Sequence, residues 1–202
     1  MRLFNWRISD MVNGNLSQFL DKMTKEEFKM NESIKTLETR CSCKAYTDKM
    51  IPEDILQEIL EAGLYAPSGL GQQNAAAIVI TNKKVRDELE EENARILGRE
   101  GIHPFYNAPI VVLVIAKGPT GIYDGSLMIG NMLNAASSLG VGACWIHRAK
   151  EEVEREFGKK LLLENGFDPN EWQGIGNVTL GYAALPQKEK LPRKEHRIVY
   201  VR

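Results

Sequence analysis

Pro109-Ile110-Val111-Val112-Leu113-Val114-Ile115-Ala116 is the stretch that decides the fold. It is β-branched, continuous and apolar, and Pro109 and Gly118 bound it. A strand with no polar face belongs in a sheet that is covered on both sides. Working outward, residues 124–139 form a helix that is apolar on most faces, through Leu127, Met128, Ile129, Met132, Leu133, Ala135, Ala136 and Leu139. Such a helix is buried, either in the core or between subunits. Val141 to Ile146 reads as a second strand. Lys150 to Asn165 reads as an amphipathic helix closed by Gly166, followed by a strand from Ile175 to Tyr182 and a terminal strand from Ile198 to Val201.

Upstream, Asn82 caps a charged helix that runs to about Glu100, and Ala75 to Thr81 reads as a buried strand. Before it, Ile55, Leu56, Ile59, Leu60, Gly63 and Leu64 recur at helical spacing after Pro52, which sits in the first turn. A short helix from Asn31, a residue type suited to the N-cap, runs to about Thr39. Residues 1–30 differ from the rest. They are polar and Met-rich, with a weak helical stretch from Leu16 to Phe28, and read as an N-terminal extension or arm. The order of elements predicts a three-layer domain of the α+β or α/β class with four or five strands.

The 202 residues suit one α/β domain, and a chain of this size buries roughly 70% of its unfolded surface without metal or disulfide. The net charge is −1, which argues against general nucleic-acid binding. No apolar run approaches the roughly 18 residues of a spanning helix, so no membrane role is expected. Asp10 interrupts any signal-peptide core, and three cysteines (Cys41, Cys43 and Cys144) fit a reducing compartment; the expected location is the cytoplasm. Cys41-Ser42-Cys43 lacks the partners of a zinc set, and no metal is expected. The phosphate-binding motifs G-x-G-x-x-G and G-x-x-x-x-G-K-[ST] are absent.

Four segments carry chemistry. Arg40-Cys41-Ser42-Cys43-Lys44-Ala45-Tyr46 places two cations around a hydroxyl, which suits an anion, though a solvated basic turn has the same composition. Ala66-Pro67-Ser68-Gly69-Leu70-Gly71-Gln72-Gln73-Asn74 mixes pliable backbone with amides; it is either a ligand loop or an ordinary connection. Gly140-Val141-Gly142-Ala143-Cys144-Trp145-Ile146-His147-Arg148 is a strand running into a polar end, where open sheets bind ligands. Leu191-Pro192-Arg193-Lys194 lies in a basic tail. No acid–base or nucleophile constellation stands out, so no catalytic side chain is assigned.

In this order the four segments resemble the nitroreductase family of FMN-dependent oxidoreductases. The matching positions are Arg40, Ser42, Lys44 and Tyr46; Ala66, Pro67, Ser68 and Gln73; Leu139, Gly140 and Gly142; and Leu180-Gly181-Tyr182 with Pro192-Arg193-Lys194. The resemblance covers residues 31–202. It implies a three-layer α+β fold with a mostly antiparallel sheet, built as an intertwined homodimer. It implies FMN as cofactor and NADH or NADPH as electron donor, with two electrons passing by a ping-pong mechanism to a small electron-poor acceptor, a nitroaromatic or a quinone. The implied cofactor-binding set is Arg40, Cys41, Ser42, Lys44, Pro67, Ser68, Gly69, Gln73, Trp145, Ile146, His147, Arg148 and Arg193. Within it Arg40, Ser42 and Arg193 would hold the phosphate and Lys44 the pyrimidine edge. The backbone of Trp145 to Arg148 would face flavin N5, and the Pro67–Gln73 loop would reach the flavin of the other subunit. The chain departs from the family's usual residues at Gly71, at Asn74-Ala75 and at His147-Arg148, which bear on the substrate face. Reductive dehalogenation, flavin destruction, or flavin storage and sensing without turnover stand as alternatives.

Overall fold

Strand β2 (Ile110–Lys117) is an inner strand of the sheet, and its first seven residues are all completely buried. The computed structural model describes residues 31–187 and 190–202. The Leu16–Phe28 helix and the whole 1–30 arm therefore lie outside the described residues. The chain divides into two units, Met1–Thr39 and Arg40–Arg202. In the first, helix α1 (Glu32–Thr39) opens with Asn31 Oδ1 accepting the Ser33 N–H at 2.8 Å, as the N-cap reading expects.

The second unit holds helices α2 (Glu53–Leu64), α3 (Lys83–Ile96), α4 (Gly121–Ser138), α5 (Ala149–Glu154) and α6 (Glu156–Glu164). They surround strands β1 (Ala75–Ile80), β2 (Ile110–Lys117), β3 (Gly142–Ile146) and β4 (Trp172–Gly181). The sheet order is β1-β2-β4-β3, with every pair antiparallel. Period-two alternation assigns the faces. Ile110, Val112, Val114 and Ala116 pack with Leu56, Ile59, Met128 and Met132 from α2 and α4. Val111, Leu113 and Ile115 pack with Leu89, Val153 and Leu162 from α3, α5 and α6. This is the three-layer α+β arrangement that the sequence implies.

Besides shifts of a few residues at other ends, such as β4 starting at Trp172 and α4 at Gly121, three departures from expectation have a physical cause. The charged helix stops at Ile96, because Gly98 turns the backbone left-handed at φ +69°. The helix expected over Lys150–Asn165 is two helices, broken at Arg155, whose backbone is extended. The break lets Ala149 and Val153 on one piece and Leu161 and Leu162 on the other lie under the same sheet face. It also brings α6 so close that a Cβ on Gly158 would stand 2.1 Å from the Glu152 carbonyl oxygen. Finally, Ile198–Val201 forms no strand: these residues are strongly exposed, and no sheet edge within the described residues pairs with them.

Candidate functional site

The basic segment lies along the free edge of β3. Cys43 N–H donates to the Ala143 carbonyl at 2.9 Å, and Ser42 bridges Ala143 in parallel register. Thr47 N–H then donates to the Tyr182 carbonyl. Cys43 and Tyr46 turn inward, while Ser42 and Lys44 are exposed and Arg40 is half-buried. Tyr46 anchors the segment: its hydroxyl lies 2.8 Å from Thr179 Oγ1 and 3.1 Å from the Cys43 carbonyl. Burial pushes the Tyr46 phenol well above its usual range, so it remains a neutral donor. The Lys44 ammonium lies 5.8 Å from the centre of the Tyr106 ring. The Cys144 thiol is pushed up by burial, against the opposing pull of the Ser42 hydroxyl and the Lys44 and Arg40 charges. Arg40, Ser42 and Lys44 thus converge on the β3 edge.

At the end of β3 the chain turns sharply. Arg148 has φ +81°, a left-handed backbone that a side chain disfavours. Beneath this turn lies a polar cluster of three completely buried side chains, Asn93, Glu152 and Asn177. Asn93 Nδ2 donates to the His147 carbonyl at 2.9 Å and to Glu152 Oε1. Arg148 Nε and Nη2 donate to Asn93 Oδ1 at 3.0 and 2.9 Å. Asn177 Nδ2 donates to Glu152 Oε2 at 2.7 Å. Burial raises the Glu152 carboxyl to about 7, against the pull of both amides and of Arg148. Ile146 is buried and His147 is exposed. The Trp145 indole covers Gly176, where a Cβ would stand 2.5 Å from Nε1.

The Pro67–Gln73 loop occupies a different corner, between α2 and β1. Leu70, Gly71 and Gln73 all have positive φ, so this connection is a shaped loop. Its fastening is the buried carboxylate of Asp124, which accepts the Gly69 N–H and the Thr120 hydroxyl, each at 2.9 Å. Ser68 Oγ accepts the Gln73 N–H at 3.0 Å. Pro67, Ser68 and Gln73 line a small cavity of about 130 Å³ with Asp124 and Met128. Gly69 has no room for a side chain: a Cβ there would stand 2.6 Å from Thr120 Oγ1.

One chain does not bring these corners together. The loop enters β1 at Ala75, opposite Ala116, whereas Ser42 sits beside Ala143, opposite Leu180 and, through it, Ile110. Strand spacing and rise across that diagonal separate the corners by roughly 25 Å. Arg193 is exposed in a tail without regular structure. A cleft of about 890 Å³ between α3 and residues 100–109 contains none of the expected site residues. Charged groups on its walls pair among themselves, as Arg86 with Asp87, Arg95 with Glu91, and His103 with Glu90.

Asn93, Glu152, Asn177 and Asp124 are the residues that the sequence reading passed over. Asn93 lies on the apolar stripe Val85–Leu89–Ile96 of a highly charged helix, and Asn177 interrupts the apolar run Gly174–Leu180. A polar residue on an apolar stripe is the available signal.

The profile of the nitroreductase family matches residues 37–107. An Archaeoglobus fulgidus protein, provisionally named NADH dehydrogenase/NAD(P)H nitroreductase, is 31% identical over 166 residues, which are 80% of this chain and 89% of the relative. A Methanothermobacter thermautotrophicus protein of the same provisional name is 26% identical over 133 residues, and the chain spans only 64% of its length, with 60% of this chain matched. Among solved structures, a Bacteroides fragilis nitroreductase with bound FMN superposes with a TM-score of 0.78 at 31% identity, covering 86% of this chain and 100% of that one. Fold, motif order and 31% identity over 80% of the chain agree, and the chain belongs to the nitroreductase family.

Proposed function

We propose that this protein is an FMN-dependent oxidoreductase that passes two electrons from NADH or NADPH to a small electron-poor acceptor, a nitroaromatic or a quinone, as a homodimer. The observation that carries the reading is the convergence of Arg40, Ser42 and Lys44 on the exposed edge of β3, where Ser42 bridges Ala143. Two cations and a hydroxyl on one exposed strip fit a phosphate that joins a flat polar ring. The Bacteroides fragilis structure, which holds FMN, and the Archaeoglobus fulgidus relative, named for NAD(P)H, support it.

The bound flavin supplies the hydride chemistry, and the protein supplies binding, orientation and charge. Arg40 and Ser42 bind the phosphate, and Arg193 joins them from the tail. Lys44 sets the charge beside the pyrimidine edge. The backbone of Trp145–Arg148 faces the reactive side. The Pro67–Gln73 loop serves the partner's site, which accounts for two corners about 25 Å apart in one chain. The homodimer reading also draws on an apolar face without a cover in one chain: Tyr123 is 70% and Leu127 47% exposed on α4, and Ile198–Val201 stands open. Reductive dehalogenation, flavin destruction, and flavin storage or sensing are the rival readings, and turnover separates them. The test is reconstitution with FMN, followed by NADH or NADPH oxidation with a nitro compound. Arg40→Ala should weaken FMN binding at least about tenfold, as the loss of one charge-assisted bond implies. Unchanged flavin occupancy in that variant after dialysis sinks the phosphate assignment.

A further inference from the structure

Asn93 uses its whole hydrogen-bonding capacity on one turn. An amide side chain offers two N–H donors and two acceptor lone pairs. The donors go to the His147 carbonyl and Glu152 Oε1, and the acceptor takes both Arg148 Nε and Nη2. The amide's orientation is forced. Reversed, its oxygen would meet the His147 carbonyl and the Glu152 carboxylate, and its nitrogen would meet the Arg148 guanidinium. Asn177 Nδ2 in turn holds Glu152.

One side chain therefore grips two successive residues of the turn, His147 by its carbonyl and Arg148 by its guanidinium. There are no cis peptides among the described residues, so the His147–Arg148 bond is trans. In a trans peptide the C=O and the following N–H point in opposite directions. The His147 carbonyl points inward to Asn93, so the Arg148 N–H is aimed outward, at the open end of β3. The left-handed Arg148 backbone is held by this inward pull. A strained residue over-determined by a buried polar network marks a position under functional constraint.

We infer that Asn93, oriented by Glu152, is a positioning residue that aims the Arg148 main-chain N–H at the flavin ring. The inference rests on the flavin reading above and extends it to a residue on α3 that does not touch the cofactor. It also assigns the Arg148 guanidinium to the interior, away from the acceptor.

The experiment compares wild type, Arg40→Ala, Asn93→Leu and Glu152→Gln, each titrated with FMN and followed by flavin fluorescence and the visible absorption bands of the bound form. Asn93→Leu should raise the FMN Kd by about tenfold, the worth of one main-chain bond to an electron-rich acceptor, and move the bound spectrum toward that of free FMN. Glu152→Gln keeps a carbonyl acceptor for only one of the two amide donors, Asn93 Nδ2 and Asn177 Nδ2, and should raise the Kd in the same direction but by less than Asn93→Leu. If Asn93→Leu does not fold, Asn93→Ser, with its shorter reach, carries the same comparison. A folded Asn93 variant with lowered Tm but unchanged Kd and unchanged flavin bands overturns the inference: the network is then structural only. Wild type that fails to bind FMN, or Arg40→Ala that binds it like wild type, overturns the flavin reading and the inference with it.

Discussion

Two corners of the sheet are each pinned by one buried carboxylate, and the two pins work differently. Asp124 grips the Pro67–Gln73 loop directly, through the Gly69 N–H, from the first turn of an 18-residue helix. There the helix's own N–H groups and dipole favour a negative charge. Glu152 acts at one remove: it orients Asn93, which grips the turn at the end of β3. The loop itself carries no charge, its Gln73 N–H donating to Ser68 Oγ. The edge of β3 displays Arg40 and Lys44 near its start, beside Ala143, and the Asn93-held turn at its end. One corner is shaped for backbone approach and the other for charge. On the proposed homodimer each is half of a site, the loop of one copy completing the pocket on the β3 edge of the other.

The largest expected effect breaks that complementarity. Leu127 lies exposed on α4, so Leu127→Glu leaves the single chain's core untouched. Buried between two copies, an unpaired carboxylate costs several kcal/mol. The variant should sediment as a monomer and lose FMN binding along with the dimer, because the two are linked. Analytical ultracentrifugation with and without FMN reads both. A Leu127→Glu monomer that holds stoichiometric flavin would show that one chain completes the pocket.

The second effect sharpens the contrast between the pins. The Glu152 carboxyl stands at about 7 in the folded protein, against an ordinary value of 4.5. Between those values the folded chain keeps a proton that the unfolded chain releases. Stability therefore falls as pH rises from about 4.5 to about 7, by a Glu152 contribution on the order of 3 kcal/mol. Glu152→Gln removes that contribution and should flatten the pH dependence over this window. Denaturant unfolding at pH 5 and pH 7.5 compares the two. Parallel curves for wild type and variant would mean that Glu152 does not titrate there.

Much of this was legible in the sequence, for physical reasons. β2 is apolar on both faces, so its place inside the sheet follows from composition alone, and Asn82 caps α3 with Oδ1 on the Lys84 and Val85 N–H groups. The exposure of the Arg40–Lys44 segment was readable because two cations and a hydroxyl resist burial. The break at Arg155 was not, because it depends on a backbone approach at Gly158 that no local pattern encodes. Nor was the Asn93–Glu152–Asn177 cluster, whose members come from α3, α5 and β4 and meet only in three dimensions. The Ile198–Val201 segment has strand composition but no edge to pair with among the described residues of one chain.

The smallest effect tests what the charged corner does beyond binding. Lys44 holds its ammonium 5.8 Å from the Tyr106 ring centre, on the same exposed strip as Ser42. Beside the pyrimidine edge, a cation stabilises the negative charge that two-electron reduction leaves on the ring more than it stabilises the neutral oxidised ring. A unit pair about 4 Å apart is worth about 4 kcal/mol at an effective dielectric near 20, before desolvation. If a quarter of that survives, the two-electron potential moves by roughly 20 mV. Lys44→Met keeps the stem and removes the charge, so the bound flavin's midpoint potential should fall by that amount and reduction by NADH or NADPH should slow. The competing role is a stacked cation on Tyr106, which would leave the potential of bound flavin unchanged. Spectroelectrochemical titration of the FMN-loaded variant decides: a potential equal to wild type removes Lys44 from the redox chemistry and leaves it as a surface partner of Tyr106.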